Sequence, residues 1–197
     1  SFSIKSKFRD SLVGRTVDFE IYPLSFEEFL LFKGVAYKPL EKKTRIKEEE
    51  LRRLYVEFVL YGGYPKVVLA PDLESKETYI QQIIDTYVRK DIKDLANISD
   101  IAKFNSLLEV LAGSSGKLLN TVELSSTLAI ARNTLTSYLS ILQETYIIRL
   151  VNPYSKNIRS EVSKMPKIFF YDTGLLHMLY LKQLPKTVLG ESFETSV

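Results

Sequence analysis

Four side chains at the start of one predicted helix have types that suit nucleic-acid recognition. Arg132, Asn133, Thr136 and Ser137 share the polar side of a helix predicted over Arg132–Tyr146. Arginine and asparagine can each form two hydrogen bonds to the edge of a purine base, and hydroxyl groups can bind bases or phosphates. We therefore expect these residues to contact the major groove of double-stranded DNA. A structural role, or docking of a protein partner, is the alternative.

The segment that follows this helix is basic. Between Arg149 and Lys167 there are five cations and one anion, and Lys156 and Arg159 lie in its middle. Such a loop can neutralise DNA phosphates. The helical part, residues 117–148, carries two cations and two anions. Charge alone therefore leaves both DNA binding and protein docking open.

The rest of the composition excludes several kinds of site. The chain has 197 residues, no cysteine and a single histidine, His177, so thiolate catalysis and cysteine-based or histidine-based metal sites are excluded. His177 lies in an apolar helical stretch and is interpreted as a packed side chain. Either Asp172 or Thr173 is predicted to cap the helix Leu175–Leu181, and capping explains Asp172 without a catalytic role.

Helical and extended patterns around these residues define a module. Asn120 precedes a short amphipathic helix, a turn follows at Ala129–Ala131, and the helix over Arg132–Tyr146 comes next. Apolar β-type segments then occur at Ile147–Leu150 and Lys167–Tyr171. A helix, a tight turn, a second helix and a two-stranded ribbon are typical of a winged helix-turn-helix.

The residues before this module are predicted to be mainly helical. Apolar spacing, caps and glycine stops predict a strand at Val17–Ile21 and helices at Ile4–Val13, Ser25–Phe32, Glu48–Tyr61 and Glu74–Leu95, followed by one that Ser99 caps and that ends at Gly113. The fold class is therefore mainly α, with a small β ribbon.

Composition is that of an ordinary globular protein. Hydrophobic residues make up 45% and charged residues 26%, and the formal net charge is +3. No apolar run approaches the roughly 18 residues that a membrane span needs. We expect a cytoplasmic protein with no membrane partner, whose net charge is too small to identify any other partner.

Four motifs, taken in order, resemble one family. They are Ser11–Arg15 with Tyr22–Phe29, then Gly62–Pro65, then Tyr87–Ile92, and finally Lys167–Leu175. Together they resemble archaeal and bacterial AAA-type P-loop ATPases that carry a C-terminal nuclease-like domain of unknown function. The sequence departs from the family pattern at Lys90, where arginine is commoner, and at Phe169, where tyrosine is commoner.

The resemblance implies a nucleotide-binding core upstream, with ATP and Mg as cofactors of a longer parent protein. It implies that Arg15 contacts phosphate and that Gly63, Tyr64 and Pro65 form a lid turn over the adenine. The chain has no G-x-x-x-x-G-K-[ST] motif. We therefore expect this chain alone to bind no nucleotide and to be inactive as an ATPase.

Three regions follow from these observations. Residues 1–112 are interpreted as the end of the ATPase core and its helical lid, residues 113–182 as the winged helix, and residues 183–197 as the truncated start of the nuclease-like domain. The expected function is a nucleotide-dependent switch with a winged helix that binds DNA. The alternatives are a stand-alone winged-helix regulator and a protein-docking adaptor. The sequence does not determine the oligomeric state.

Overall fold

A computed structural model describes residues 20–38, 44–92, 98, 100–154, 165–188 and 190–195. The α-helices are α1 (Phe26–Phe32), α2 (Arg45–Tyr61), α3 (Pro65–Val68), α4 (Leu73–Ile83), α5 (Ile101–Ala112), α6 (Thr121–Thr127), α7 (Arg132–Glu144), α8 (Thr173–Leu181) and α9 (Gly190–Thr195). The strands are β1 (Ile148–Val151) and β2 (Lys167–Phe170). The helix predicted at Ile4–Val13 and most of the strand predicted at Val17–Ile21 lie outside the described residues.

The described chain is mainly helical and contains one small antiparallel sheet, as the sequence predicts. In this sheet, β1 pairs with β2, and Ile148 lies opposite Phe170. Ile148 and Phe170 are buried, whereas Arg149 on the other face of the ribbon is exposed. The ribbon therefore has an inner face in the core and an outer face that is available to other groups.

Local capping determines where the first helices begin. The predicted capping box is confirmed at α1, where the Ser25 hydroxyl accepts from the Glu28 N–H and the Glu28 carboxylate accepts from the Ser25 N–H. The predicted amphipathic helix at Glu48–Tyr61 is also present, but it begins three residues earlier at Arg45. The reason is that Thr44 acts as its N-cap, accepting from the Lys47 N–H at 3.3 Å.

The predicted single helix over Glu74–Leu95 was wrong in its second half. After α4 the chain continues as a π-helix over Ile84–Asp91. Ile80, Ile84 and Val88 are buried and lie four residues apart. An α-helix of about 3.6 residues per turn would rotate such a stripe progressively away from the core, and the wider π turns reverse that drift.

Two boundaries in the second half also differ from prediction. Ser99 lies outside the described residues, and the N-cap of α5 is Asp100, whose carboxylate accepts from the Lys103 N–H at 3.0 Å. Helix α7 ends at Glu144 rather than at Tyr146. Tyr146 has a φ of +56°, which is left-handed and ends the helix before β1.

The core crosses the predicted boundary between residues 112 and 113. One hydrophobic cluster contains Ile84 of the π-helix, Phe104 of α5, Leu135 of α7 and Ile168 of β2. A smaller second cluster consists of Phe29, Leu30, Leu54 and Val68 and joins α1, α2 and α3. The described parts of the chain contain no helix that is long and apolar enough to cross a membrane.

Candidate functional site

The turn between α2 and α3 is joined to the segment between β2 and α8 by a buried carboxylate. Asp172 is 2% exposed and accepts hydrogen bonds from two backbone N–H groups, that of Gly63 at 2.7 Å and that of Leu175 at 2.8 Å. The bond to Leu175 caps α8, as predicted. The bond to Gly63 connects residues 109 positions apart and was not predicted.

Two glycines allow this close approach. Gly62 has a φ of +78°, and a Cβ atom at this position would overlap the Asp172 carboxylate. A Cβ atom on Gly63 would overlap the backbone oxygen of Leu24. The Gly63 carbonyl also accepts from the Leu24 N–H at 2.8 Å. The predicted chain-breaking turn is therefore also the point where three segments meet.

The C-terminal end of α2 is completed by side chains from α8. Carbonyl groups in the last turn of a helix lack partners within the helix. Here Nδ1 of His177 lies 2.9 Å from the Leu60 carbonyl, and the Thr173 hydroxyl donates at 3.3 Å to the Phe58 carbonyl, which also accepts from the Gly62 N–H at 2.8 Å. A carbonyl oxygen only accepts, so we assign the proton of the neutral ring to Nδ1. His177 is 1% exposed, which agrees with its interpretation as a packed side chain.

Burial shifts the pKa of both titratable groups at this junction. Burial raises the pKa of Asp172 from 3.8 to about 6, although the bonds from the Leu175 and Gly63 N–H groups favour the charged form and oppose the rise. Burial lowers the pKa of His177, against the effect of its hydrogen bond to Leu60. Each shift reflects the cost of placing a charge in this interior.

An open cleft of about 690 Å³ lies beside the junction, and we name it the turn–ribbon cleft. One wall is formed by residues 22–26 and Phe58, and the opposite wall by the outer face of the ribbon, with Arg149, Val151 and Phe169. Arg149 and Phe169 are paired across the two strands, so their side chains share this face. The volume lies in the range of small-molecule sites.

The remaining surfaces of the cleft are polar. Gly62, Gly63 and Asp172 line it, as do Glu194 and Thr195 of α9. The Thr195 hydroxyl lies 2.9 Å from that of Ser115. The turn, the ribbon and α9 thus contribute to one concave surface.

Three tyrosines form an aromatic cluster at one end of the cleft. The Tyr22 ring stacks on Tyr171 at a centroid distance of 5.5 Å and contacts Tyr146 edge-on at 4.8 Å. Tyr22 is 43% exposed, and its hydroxyl donates to Glu20 at 2.5 Å. This hydrogen bond is the main reason that the pKa of Tyr22 is raised to about 12. Tyr22 is therefore a neutral ring with an accessible apolar surface.

Among the described residues that line the cleft, the cation is Arg149. Glu28 is engaged in the capping box, Glu194 lies 3.6 Å from Lys167, and Asp172 accepts the two N–H groups described above. Arg149 is exposed and forms no ion pair within the described parts of the chain. The same residues contain no cluster of three or more carboxylate or imidazole groups that could hold a metal ion.

The predicted nucleotide-binding residues are only partly brought together. Gly63 lies at the base of the cleft, but its N–H group already bonds to Asp172. Tyr64 is the residue before α3 and Pro65 is the first residue of that helix, and neither lines the cleft. Arg15 lies outside the described residues. Proximity of Tyr64 and Pro65 to a nucleotide stays a prediction.

The predicted DNA-binding residues of α7 lie together on its exposed side. Arg132, Asn133, Thr136 and Ser137 are all exposed, whereas Leu135 between them is buried. The hydroxyls of Thr136 and Ser137 each donate to the carbonyl four residues earlier at 3.0 Å, and their oxygens remain available as acceptors. Lys156 and Arg159 lie outside the described residues.

Similar proteins are longer than this chain. It is 34% identical over 169 residues to an uncharacterized protein of Haemophilus influenzae, and the matched region covers 83% of this chain and 40% of that protein. It is 28% identical over 158 residues to an uncharacterized protein of Methanocaldococcus jannaschii, which covers 77% of this chain and 35% of that protein. An uncharacterized Mycobacterium tuberculosis protein is 31% identical over 142 residues, 68% of this chain and 32% of its own length.

The chain spans less than half the length of these relatives. No solved structure matches it. Residues 52–187 match a family profile over the turn, the π-helix, the ribbon and most of the segment that follows. The chain therefore belongs to the family described as Domain of unknown function (DUF8612).

Proposed function

We propose that this chain is part of an AAA-type P-loop ATPase and that it transmits the nucleotide state to a winged-helix module. The observation that carries this proposal is the hydrogen bond from the Gly63 N–H to Asp172. Gly63 belongs to the turn that the family resemblance places over the adenine. Asp172 directly follows β2, so a displacement of the turn would act on the ribbon and on α8.

The order of elements supports a winged helix within this proposal. Helix α5 is followed by Leu118, which forms an antiparallel bridge with Lys167, and then by α6, α7, β1 and β2. The bridge is a single residue pair on the side of β2 away from β1, and the sheet itself has two strands. Three helices followed by a small two-stranded ribbon in this order are typical of a winged helix-turn-helix.

A second contact joins the lid helices to α7. The Tyr87 hydroxyl, in the π-helix, donates to the Thr145 carbonyl at the end of α7 at 3.0 Å. π-Helical turns occur frequently at functional sites. Movement of the π-helix would therefore act on the C-terminal end of the predicted recognition helix, whose first turns carry Arg132 and Asn133.

The length of the relatives is compatible with this proposal, because more than half of each relative lies outside the matched part. We propose that the parent protein is cytoplasmic and binds ATP and Mg in a separate core. We also propose that a nuclease-like domain begins near residue 183. The matched part of the chain would then be the coupling segment between nucleotide and winged helix.

The test uses the full-length parent protein. We expect it to bind a fluorescent ATP analogue, and we expect ATP to change the hydrogen exchange of backbone amides in β2 and α7. The variant Asp172→Ala should still bind the analogue, because it leaves the core intact, but should lose the change in β2. Absence of nucleotide binding by the full-length protein would reject the proposal.

A second candidate function is DNA binding by α7, which the shared exposure of its four polar residues favours. We expect this chain to bind a labelled DNA duplex, with an affinity that decreases steeply as salt increases. The double variant Arg132→Ala, Asn133→Ala should weaken binding, and Arg159→Ala should reduce its salt dependence. Arg52→Ala, an exposed arginine of α2, is the control. No binding at low salt would favour a protein-docking role.

A further inference from the structure

We propose that the turn–ribbon cleft binds a small planar aromatic anion. The proposal concerns the cleft of this chain and does not depend on the proposed nucleotide switch. It follows from three features of the cleft, namely its volume, the aromatic rings that line it and the state of its charged groups.

The volume and the lining suit a planar ring. The cleft measures about 690 Å³, and Tyr22, Phe26 and Phe169 from both walls contribute aromatic surface. The Tyr22 ring stacks on Tyr171 and contacts Tyr146 edge-on, and the residue as a whole is 43% exposed. A planar ligand can stack on such a surface, with ring centroids about 4.5–7 Å apart.

The charged side chains of the cleft favour an anionic ligand. Three carboxylates of the cleft already have partners. Glu28 belongs to the capping box, Glu194 lies near Lys167, and Asp172 accepts from the Gly63 and Leu175 N–H groups. Arg149 is exposed, lies beside Phe169 in the ribbon and has no ion pair within the described residues. Its planar guanidinium can form two parallel hydrogen bonds with a carboxylate or phosphate. An aromatic ring and an anionic group on one ligand would therefore satisfy both parts of the cleft.

Two sources provide this chemistry. A mononucleotide combines a base with a phosphate, and an aromatic acid combines a ring with a carboxylate. Both would place the ring against Tyr22 and the anion against Arg149. Competition with one compound of each class distinguishes the two sources.

Binding is measured with this chain and the dye anilinonaphthalene sulfonate, an aromatic anion that has a planar naphthalene ring system and fluoresces when bound. We expect saturable binding at one site. Arg149→Gln removes the charge and should weaken binding about tenfold or more, because a charge-assisted bond is lost. Arg53→Gln removes an exposed arginine of α2 that does not line the cleft, and should leave binding unchanged.

A neutral dye of similar shape, phenylnaphthylamine, separates stacking from charge. Tyr22→Ala should weaken the binding of both dyes, whereas Arg149→Gln should weaken only that of the anionic dye. Because Tyr22 and Arg149 are both exposed, neither change should unfold the chain, which circular dichroism would check. Equal effects of Arg149→Gln on both dyes would overturn the proposal.

Competition identifies the source of the ligand. Displacement of the dye by AMP supports a mononucleotide, and displacement by phenylbutyrate supports an aromatic acid. Displacement by neither, or dye binding that Arg149→Gln leaves intact, would reject the site. These outcomes are independent of whether the full-length protein binds ATP in its core, so the two proposals can fail separately.

Discussion

The buried carboxylate of Asp172 should give the chain an unusual dependence of stability on pH. The perturbation is Asp172→Asn, which keeps the shape of the side chain and removes its ionisation. Burial raises the pKa of Asp172 from 3.8 to about 6. The folded protein therefore holds this proton more tightly than the unfolded chain does, and the stabilising contribution is present below the ordinary pKa and is lost as pH rises through about 6.

The magnitude follows from the size of the rise. A difference of one in pKa corresponds to about 1.4 kcal/mol, so the rise from 3.8 to about 6 corresponds to about 3 kcal/mol. In wild type the buried carboxylate is charged at neutral pH and lowers the stability, and protonation on acidification removes this destabilisation. Asp172→Asn has no ionisable group at this position. The free energy of unfolding of wild type, relative to Asp172→Asn, should therefore increase by about 2.4 kcal/mol as pH falls from 7 to about 4, and should approach about 3 kcal/mol only below the ordinary pKa of 3.8.

The assay is urea unfolding of both proteins at a series of pH values, compared as a difference. Subtraction removes the contribution of His177, whose pKa is lowered by burial and whose stabilisation is lost on acidification. A matched control is Asp72→Asn, the N-cap of α4. The bond from Ser75 lowers the pKa of Asp72, so its stabilisation should decrease as pH falls.

The two aspartates thus predict opposite signs from the same substitution. A difference between wild type and Asp172→Asn that is constant with pH would refute the reasoning, since it would mean that the carboxylate is as well solvated in the folded protein as in the unfolded chain. A difference that decreases on acidification would mean that the hydrogen bonds from Gly63 and Leu175 outweigh burial.

Two further predictions concern the first half of the chain and can be checked by urea unfolding. Gly62→Ala should lower the free energy of unfolding by at least about 2 kcal/mol more than Gly34→Ala does. Both glycines have a positive φ, but only a Cβ atom at Gly62 would overlap a buried carboxylate. Equal losses for the two variants would contradict the close approach of Asp172 to Gly62. The Glu57 carboxylate lies 2.8 Å from Lys33 and 3.3 Å from the buried Lys76. Glu57→Ala leaves Lys76 without its counter-charge and should lower the free energy of unfolding by about 3 kcal/mol. Lys33→Ala should lower it by about 1 kcal/mol or less. A larger loss for Lys33→Ala would mean that the half-buried Lys33–Glu57 pair dominates.

Local elements could be predicted where their determinants lie within a few residues. The capping box of Ser25 and Glu28 and the Asn120 cap were correct because each is complete within four positions. Ser99 and Asp100 are adjacent residues of similar capping preference, and the pattern alone selected the wrong one. The π-helix after Ile83 was missed because its stripe of apolar residues also fits an α-helix over a short window.

The site could not be predicted in the same way. Asp172 was correctly interpreted as a cap from its neighbours, but its bond to Gly63 depends on how α2 and α8 pack. Lys76 is 6% exposed, and its partners, the Glu57 carboxylate and the Val67 carbonyl, come from other segments. Such partners leave no periodic signal in the sequence.

The contacts of α8 with the end of α2 also constrain the order in which the chain can fold during synthesis. The Leu60 carbonyl in the last turn of α2 bonds to His177, 117 residues further along the chain, and the Phe58 carbonyl, which already accepts from the Gly62 N–H, gains a second bond from Thr173. A ribosome therefore synthesises α3 to α7 and the π-helix well before the last turn of α2 can gain these contacts. Until His177 emerges, the nascent chain presents an open helix end and the apolar surface beneath it, which is the kind of intermediate that chaperones bind.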